Sequence, residues 1–139
     1  MTLLPDRLLV IDANLDKRLA QQLEQRGRKA ISAEWLGLVD ALDPYLLQAL
    51  ARRNEDLVVV TGDDNMPGTH GRLIAQLRLT VATVDGRVHP PWGKAEWKRE
   101  IVHRWAHVIH RQEPETIERY GLARHAPWTS RRRPRRRKR

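Results

Sequence analysis

No cysteine occurs in this chain of 139 residues, which excludes a disulfide framework, a zinc–thiolate site and a cysteine nucleophile. No apolar run approaches the roughly 18–20 residues needed to cross a bilayer. The first residues also lack the charged-then-apolar shape of a secretory signal. A cytoplasmic protein with no membrane partner is the expectation. Acid is short relative to base: 17 Asp and Glu stand against 26 Lys and Arg, a formal net charge of +9.

That surplus is concentrated. Arg131, Arg132, Arg133, Arg135, Arg136, Arg137, Lys138 and Arg139 put eight positive charges into the last nine residues, leaving residues 1–130 with 18 basic and 17 acidic side chains. Like charges at that density cannot pack, so the segment is expected to be disordered in isolation. A polyanion suits it, because each neutralised phosphate releases counterions and gives an affinity that falls steeply with salt. Nucleic acid, the ribosome included, is the partner this favours; a merely solubilising or incidental extension is the other reading. The organisation expected is one α/β domain over residues 1–128 and a disordered Arg-rich tail over 129–139.

What the body does contain is two short apolar runs that each end in acid. Leu8-Leu9-Val10-Ile11 leads into Asp12-Ala13-Asn14, and Leu57-Val58-Val59-Val60 into Thr61-Gly62-Asp63-Asp64-Asn65. Short β-branched and Leu runs bounded by polar residues and Gly read as buried parallel strands. Ligands in open α/β sheets sit at the carboxyl ends of the strands. Should these two strands be neighbours, three Asp and two Asn meet at one edge, an arrangement that repels itself unless a divalent cation intervenes. The competing reading is that each Asp caps the turn or helix that follows it.

Leu15, Leu19 and Leu23 mark an amphipathic helix over Leu15–Arg26 stopped by Gly27, and Lys29–Ala33 a short strand. Trp35-Leu36-Gly37-Leu38 reads as an apolar loop. Asp43-Pro44 opens a helix reaching about Arg53, since Asp caps free amides and Pro has no amide to lose. Met66-Pro67-Gly68 reads as a turn, Arg72–Leu77 as a helix and Thr80–Val84 as a strand. Lys94–Arg111 is the longest helix, with Trp97, Ile101, Trp105 and Val108 on its core stripe. His103, His107 and His110 form a second, off-core stripe near Glu96 and Glu100 that suits a solvated or RNA-facing surface, or a metal. Strand–helix alternation predicts helices flanking a mainly parallel sheet.

Taken in order, Val10-Ile11-Asp12-Ala13-Asn14-Leu15, Leu36-Gly37-Leu38, Asp43 and Val60-Thr61-Gly62-Asp63-Asp64 resemble the PIN-like group of the PIN-domain nucleases. The segment from Trp97 to His107 is similar to that group's carboxyl-terminal helix. The resemblance spans about residues 7–112 and implies a compact three-layer α/β fold. It also implies an Mg²⁺- or Mn²⁺-dependent ribonuclease with Asp12, Asp43, Asp63 and Asp64 as metal-binding and catalytic acids, supported by Asn14, Thr61 and Asn65. Many members are toxins of VapBC-type pairs, so an antitoxin and a second copy of the chain are the protein partners implied. Ala13 and Asn65 stand where relatives carry further acids, which weakens the negative field. A catalytically weak or inactive PIN-like module that binds RNA or a partner is the alternative.

Asp63-Asp64-Asn65-Met66-Pro67-Gly68 also resembles the phosphoacceptor loop of receiver domains. Ala13 interrupts the acid pair such domains need, no late Lys-Pro follows a strand, and Thr61-Gly62 sets the acid two residues beyond its strand. These departures place receiver-like phosphotransfer behind the nuclease.

Overall fold

Strands and helices alternate along the chain because its apolar runs change period, from continuous four- and five-residue stretches to spacings of three and four. The computed structural model describes residues 7–15, 18–37, 43–53, 55–85 and 93–130, with Asp43, Lys94 and Ala95 described by their backbone alone. In chain order the elements are β1 (Leu8–Ile11), α1 (Leu19–Gln25), β2 (Ala30–Ser32), a 3₁₀ turn (Ala33–Leu36), α2 (Asp43–Arg52) and β3 (Leu57–Thr61). There follow α3 (Met66–Gln76), β4 (Thr80–Val84), α4 (Lys94–Ile109), β5 (Ile117–Tyr120) and β6 (His125–Pro127).

The strands form one sheet in the order β2-β1-β3-β4-β5-β6. All neighbours are parallel except β6, which returns antiparallel to β5. Both faces of the central strands are covered, which is why β3 and β4 are buried along their whole length. Leu9, Ile11, Val58, Val60, Ala82 and Val84 face α1 and α4, meeting Leu19, Leu23, Trp97 and Ile101. Val10, Val59 and Val81, one residue out of phase, meet Leu46, Leu47 and Leu50 of α2 with Met66 and Ile74 of α3. The result is a three-layer α/β fold with a mainly parallel sheet. Among the described residues no helix is long and apolar enough to cross a membrane.

Several local expectations change. Met66-Pro67-Gly68 is the first turn of α3, with Pro67 at the position where a missing amide costs nothing. Helix α1 starts at Leu19, although Leu15 in the preceding bend is buried in the same core. Gly27 does end that helix, at φ 79°. The buried line of α4 runs through Ile101, Val102, Ala106 and Ile109, while Trp105 and Val108 are only partly buried beside it. The β5–β6 hairpin had no counterpart in the sequence reading.

The histidine stripe also dissolves into three separate surroundings. His110 is 2% exposed, and its Nδ1 donates to the Arg7 carbonyl at 2.7 Å. His103 is half-buried with Nε2 3.1 Å from Gln22 Oε1. Burial, with help from Arg26 and Arg99 and against Glu100, holds its pKa below the ordinary histidine value. His107 is exposed.

Candidate functional site

Strand β1 has β2 on one side and β3 on the other, so the direction in which the sheet grows reverses between β1 and β3. In doubly wound sheets that reversal leaves a crevice at the carboxyl ends of the strands. Asp12 directly follows β1 and Thr61 ends β3; the pairing of Ile11 with Val60 sets them side by side. The Asp12 amide donates to the Val60 carbonyl at 2.9 Å, which extends the ladder by one bond and fixes the acid's place.

One hydroxyl organises this crevice. Thr61 Oγ1 donates to Asp12 Oδ2 at 3.0 Å. It also accepts from Asn14 Nδ2 at 3.1 Å and from the Asp63 amide at 3.1 Å. That is the full capacity of a hydroxyl, one donor and two lone pairs. Asp12 Oδ1 takes the Ala13 amide at 2.7 Å. Asn14 Oδ1 takes the Gly62 amide at 2.9 Å, so its side chain clamps the β3 loop from both ends. Asp63 Oδ1 accepts from the Asn65 amide at 3.0 Å, and no described residue donates to its Oδ2.

A side chain at Gly62 would crowd its neighbours. A Cβ there would lie 2.9 Å from Leu15 Cδ2 and 3.3 Å from both Asn14 Oδ1 and Lys98 Cδ. Lys98 of α4 lies this close because its Nζ donates to the Gly62 carbonyl at 2.7 Å. Its ammonium is therefore part of the loop's support, a role that no local sequence signal announces.

Asp64, the next acid, belongs to a different cluster. Its Oδ1 accepts from Thr83 Oγ1 at 3.1 Å and Arg119 Nε at 2.7 Å, and its Oδ2 from Arg119 Nη2 at 3.0 Å. Trp128 Nε1 donates to the Asp64 carbonyl at 2.9 Å, and Arg119 stands over the Trp128 ring, 5.4 Å from its centroid. Arg119 Nη2 also reaches the Thr129 carbonyl at 2.8 Å.

The two clusters are ends of one row. Cross-strand pairing aligns Thr61 with Thr83 and Thr83 with Arg119, and Asp12 continues the line at β1. Because side chains alternate along a strand, this polar row lies on the α2 and α3 face, two residues beyond the apolar row Val10, Val59, Val81, Ile117. Thr83 and Arg119 escaped the sequence reading. The signal that could have found them is a repeated dyad, Val59-x-Thr61, Val81-x-Thr83 and Ile117-x-Arg119, in which a β-branched residue precedes a polar one on the same face.

Of the sequence candidates, Asp12, Asn14 and Thr61 join through their side chains, and Asp63 joins them through its backbone amide. Asn65 contributes its backbone to Asp63 and is exposed. Asp43 is the first residue of α2, with its side chain outside the described residues. Arg131 to Arg139 also lie outside them. Among the described residues no three His, Asp or Glu side chains form a metal-holding group. The donor chemistry of Asp12 and Asp63 nonetheless fits Mg²⁺ or Mn²⁺: hard carboxylate oxygens, with an Asp63 oxygen left over, are what an ion that keeps most of its waters takes from protein. Set beside family models, curated proteins and solved structures, the chain matches none of them.

Proposed function

We propose that this chain is a metal-dependent endoribonuclease of the PIN-like kind, hydrolysing RNA phosphodiester bonds at the crevice between β1 and β3. The observation that carries the reading is the Thr61 hydroxyl, which holds Asp12 by its carboxylate and Asp63 by its amide at one strand edge. Asp12 and Asp63, with Asp43 from the start of α2, would hold Mg²⁺ or Mn²⁺; when bound, such an ion polarises a scissile phosphate and lowers the pKa of an attacking water. Thr61 fixes the rotamer of Asp12, and Asn14 with Lys98 fixes the loop that carries Asp63. Asp64 enters as the acid that anchors this loop to β5 through Arg119. The toxin role in a VapBC-type pair, with its antitoxin partner, rests on the sequence resemblance.

A second reading, a PIN-like module that binds RNA or a partner without cutting it, is favoured by the same Arg119 pair, which takes one acid out of reach of a cation. Incubation with a mixed RNA pool in Mg²⁺, Mn²⁺ or EDTA separates the two. Cleavage present with either ion, absent in EDTA and lost in a folded Asp12→Asn variant supports the nuclease. Full cleavage by Asp12→Asn overturns it, and RNA bound but left intact selects the binding module.

A further inference from the structure

Beside the crevice, a separate cavity of about 800 Å³ opens between the first turn of α3 and the strand that closes the sheet. Asn65, Gly68, Thr69, Arg119, Trp128 and Ser130 line it. We propose that this cavity is a nucleotide subsite for single-stranded RNA, with a base stacked against the Trp128 indole and a flanking phosphate beside Arg119. The proposal deepens the nuclease reading by naming the form of the substrate, and rests on it for the direction in which the strand leaves.

Three features converge there. The indole is preorganised: its Nε1 is tied to the Asp64 carbonyl, Arg119 stands over the ring, and the ring's far edge lies 3.4 Å from where a Gly68 Cβ would be. A fixed aromatic platform stacks any base with little ordering cost. Arg119 is 9% exposed, and it spends Nε and Nη2 on Asp64 and Thr129 while its Nη1 bonds no described residue. A buried guanidinium with donors in hand is suited to a phosphate oxygen. Finally, the cavity adjoins the crevice. Asn65 on one wall binds Asp63 of the crevice through its amide. Ser130 on the rim is followed at once by the eight cations of 131–139. A strand whose phosphate lies at Asp12 and Asp63 would pass over Asn65 and stack at Trp128.

Single strands satisfy this path because their bases are free to splay onto an aromatic ring, whereas duplex bases are already stacked on one another. The test is anisotropy of a short, labelled, mixed-sequence single-stranded RNA titrated with the full chain in EDTA across a salt series. Trp128→Leu removes the stacking face and should weaken binding by roughly tenfold, with the salt slope unchanged. Thr69→Glu, at an exposed position of the cavity wall, places a negative charge beside the phosphate and should also weaken binding. It decides the matter if Trp128→Leu fails to fold. Deletion of 131–139 should instead flatten the salt slope.

Parental affinity in both point variants overturns the proposal, as does a duplex that binds as tightly with the same dependence on Trp128. Failure of RNA to bind the full chain at low salt overturns it too. Because binding is read without metal, the two proposals fail separately. Trp128-dependent binding with no cleavage in Mg²⁺ or Mn²⁺ removes the nuclease and keeps the subsite. Cleavage with binding indifferent to Trp128 and Thr69 does the reverse.

Discussion

Asp63 and Asp64 are adjacent in sequence and opposite in circumstance. Asp63 lies in the loop after β3, where its carboxylate takes the Asn65 amide and bonds no cation among the described residues. Asp64 turns toward β4 and β5, where Arg119 grips both its oxygens and Thr83 adds a third bond. Both clusters use a threonine hydroxyl from the same polar row, so the difference lies in the charge supplied. At the Asp64 end the protein provides the positive charge itself. At the Asp63 end the carboxylate takes a neutral backbone amide, and the Lys98 ammonium is spent on the Gly62 carbonyl rather than on the acid.

The largest effect should come from taking the internal cation away. Arg119→Ala leaves Asp64, its side chain 17% exposed, as an uncompensated charge, and should cost about 3–5 kcal/mol in urea denaturation. Combining Asp64→Asn with Arg119→Met should restore much of that loss. A loss below about 1 kcal/mol for Arg119→Ala would mean that water already compensates Asp64, and the contrast between the two ends would collapse.

Removing the shared hydroxyl at the other end tests the shaping role. Thr61→Val takes the hydroxyl away from Asp12 Oδ2, Asn14 Nδ2 and the Asp63 amide, and should cost about 1–3 kcal/mol while lowering any metal-dependent cleavage. Unchanged stability and unchanged cleavage would show that the crevice does not need it.

The comparison sharpens further with divalent cation. Mg²⁺ or Mn²⁺ should raise the melting temperature of the parent, by about 1.4 kcal/mol of stability at ten times Kd. Asp64→Asn, less stable at the outset, should gain as much, and Asp12→Asn should gain nothing. Equal gains in all three would place the cation elsewhere.

The smallest effect is on pH dependence. His103, held below its ordinary value of 6.5 by burial and neighbouring arginines, stays neutral in the fold after the unfolded chain has begun to bind a proton. Its contribution is therefore complete above about pH 6.5 and declines as pH falls through the gap between the two values. Melting curves of His103→Gln should be flatter over that window than those of the parent; identical slopes would dismiss His103 as the cause.

Much of the sheet was legible because β1 and β3 are uninterrupted apolar runs, which only a strand buried on both faces requires. Asp43-Pro44 likewise announced α2 through the chemistry of a helix start. The β5–β6 hairpin was hidden for a physical reason. Ile117-Glu118-Arg119-Tyr120 is half polar, since Arg119 serves Asp64, 55 positions earlier in the chain, and no local pattern encodes a partner at that distance. His110 was misplaced on similar grounds: an imidazole on a polar stripe becomes a core residue once the Arg7 carbonyl accepts a hydrogen bond from its N–H. Asp12, Asn14, Thr61 and Asp63 were readable as a group because each sits within three residues of a strand end, whereas Lys98 and Trp128 reach the same loop only through tertiary packing.

The strand order also governs how the molecule ends in the plane of its sheet. Parallel strands added outward from β3 each leave a row of unpaired backbone groups until the next arrives, and an exposed row invites pairing with another chain. Among the described strands, the two rows that remain belong to β2 and β6, each three residues long. Pro127 removes one amide from β6 altogether. Both of these described margins are thus short, and one of them is poor in donors, which works against their templating a further strand.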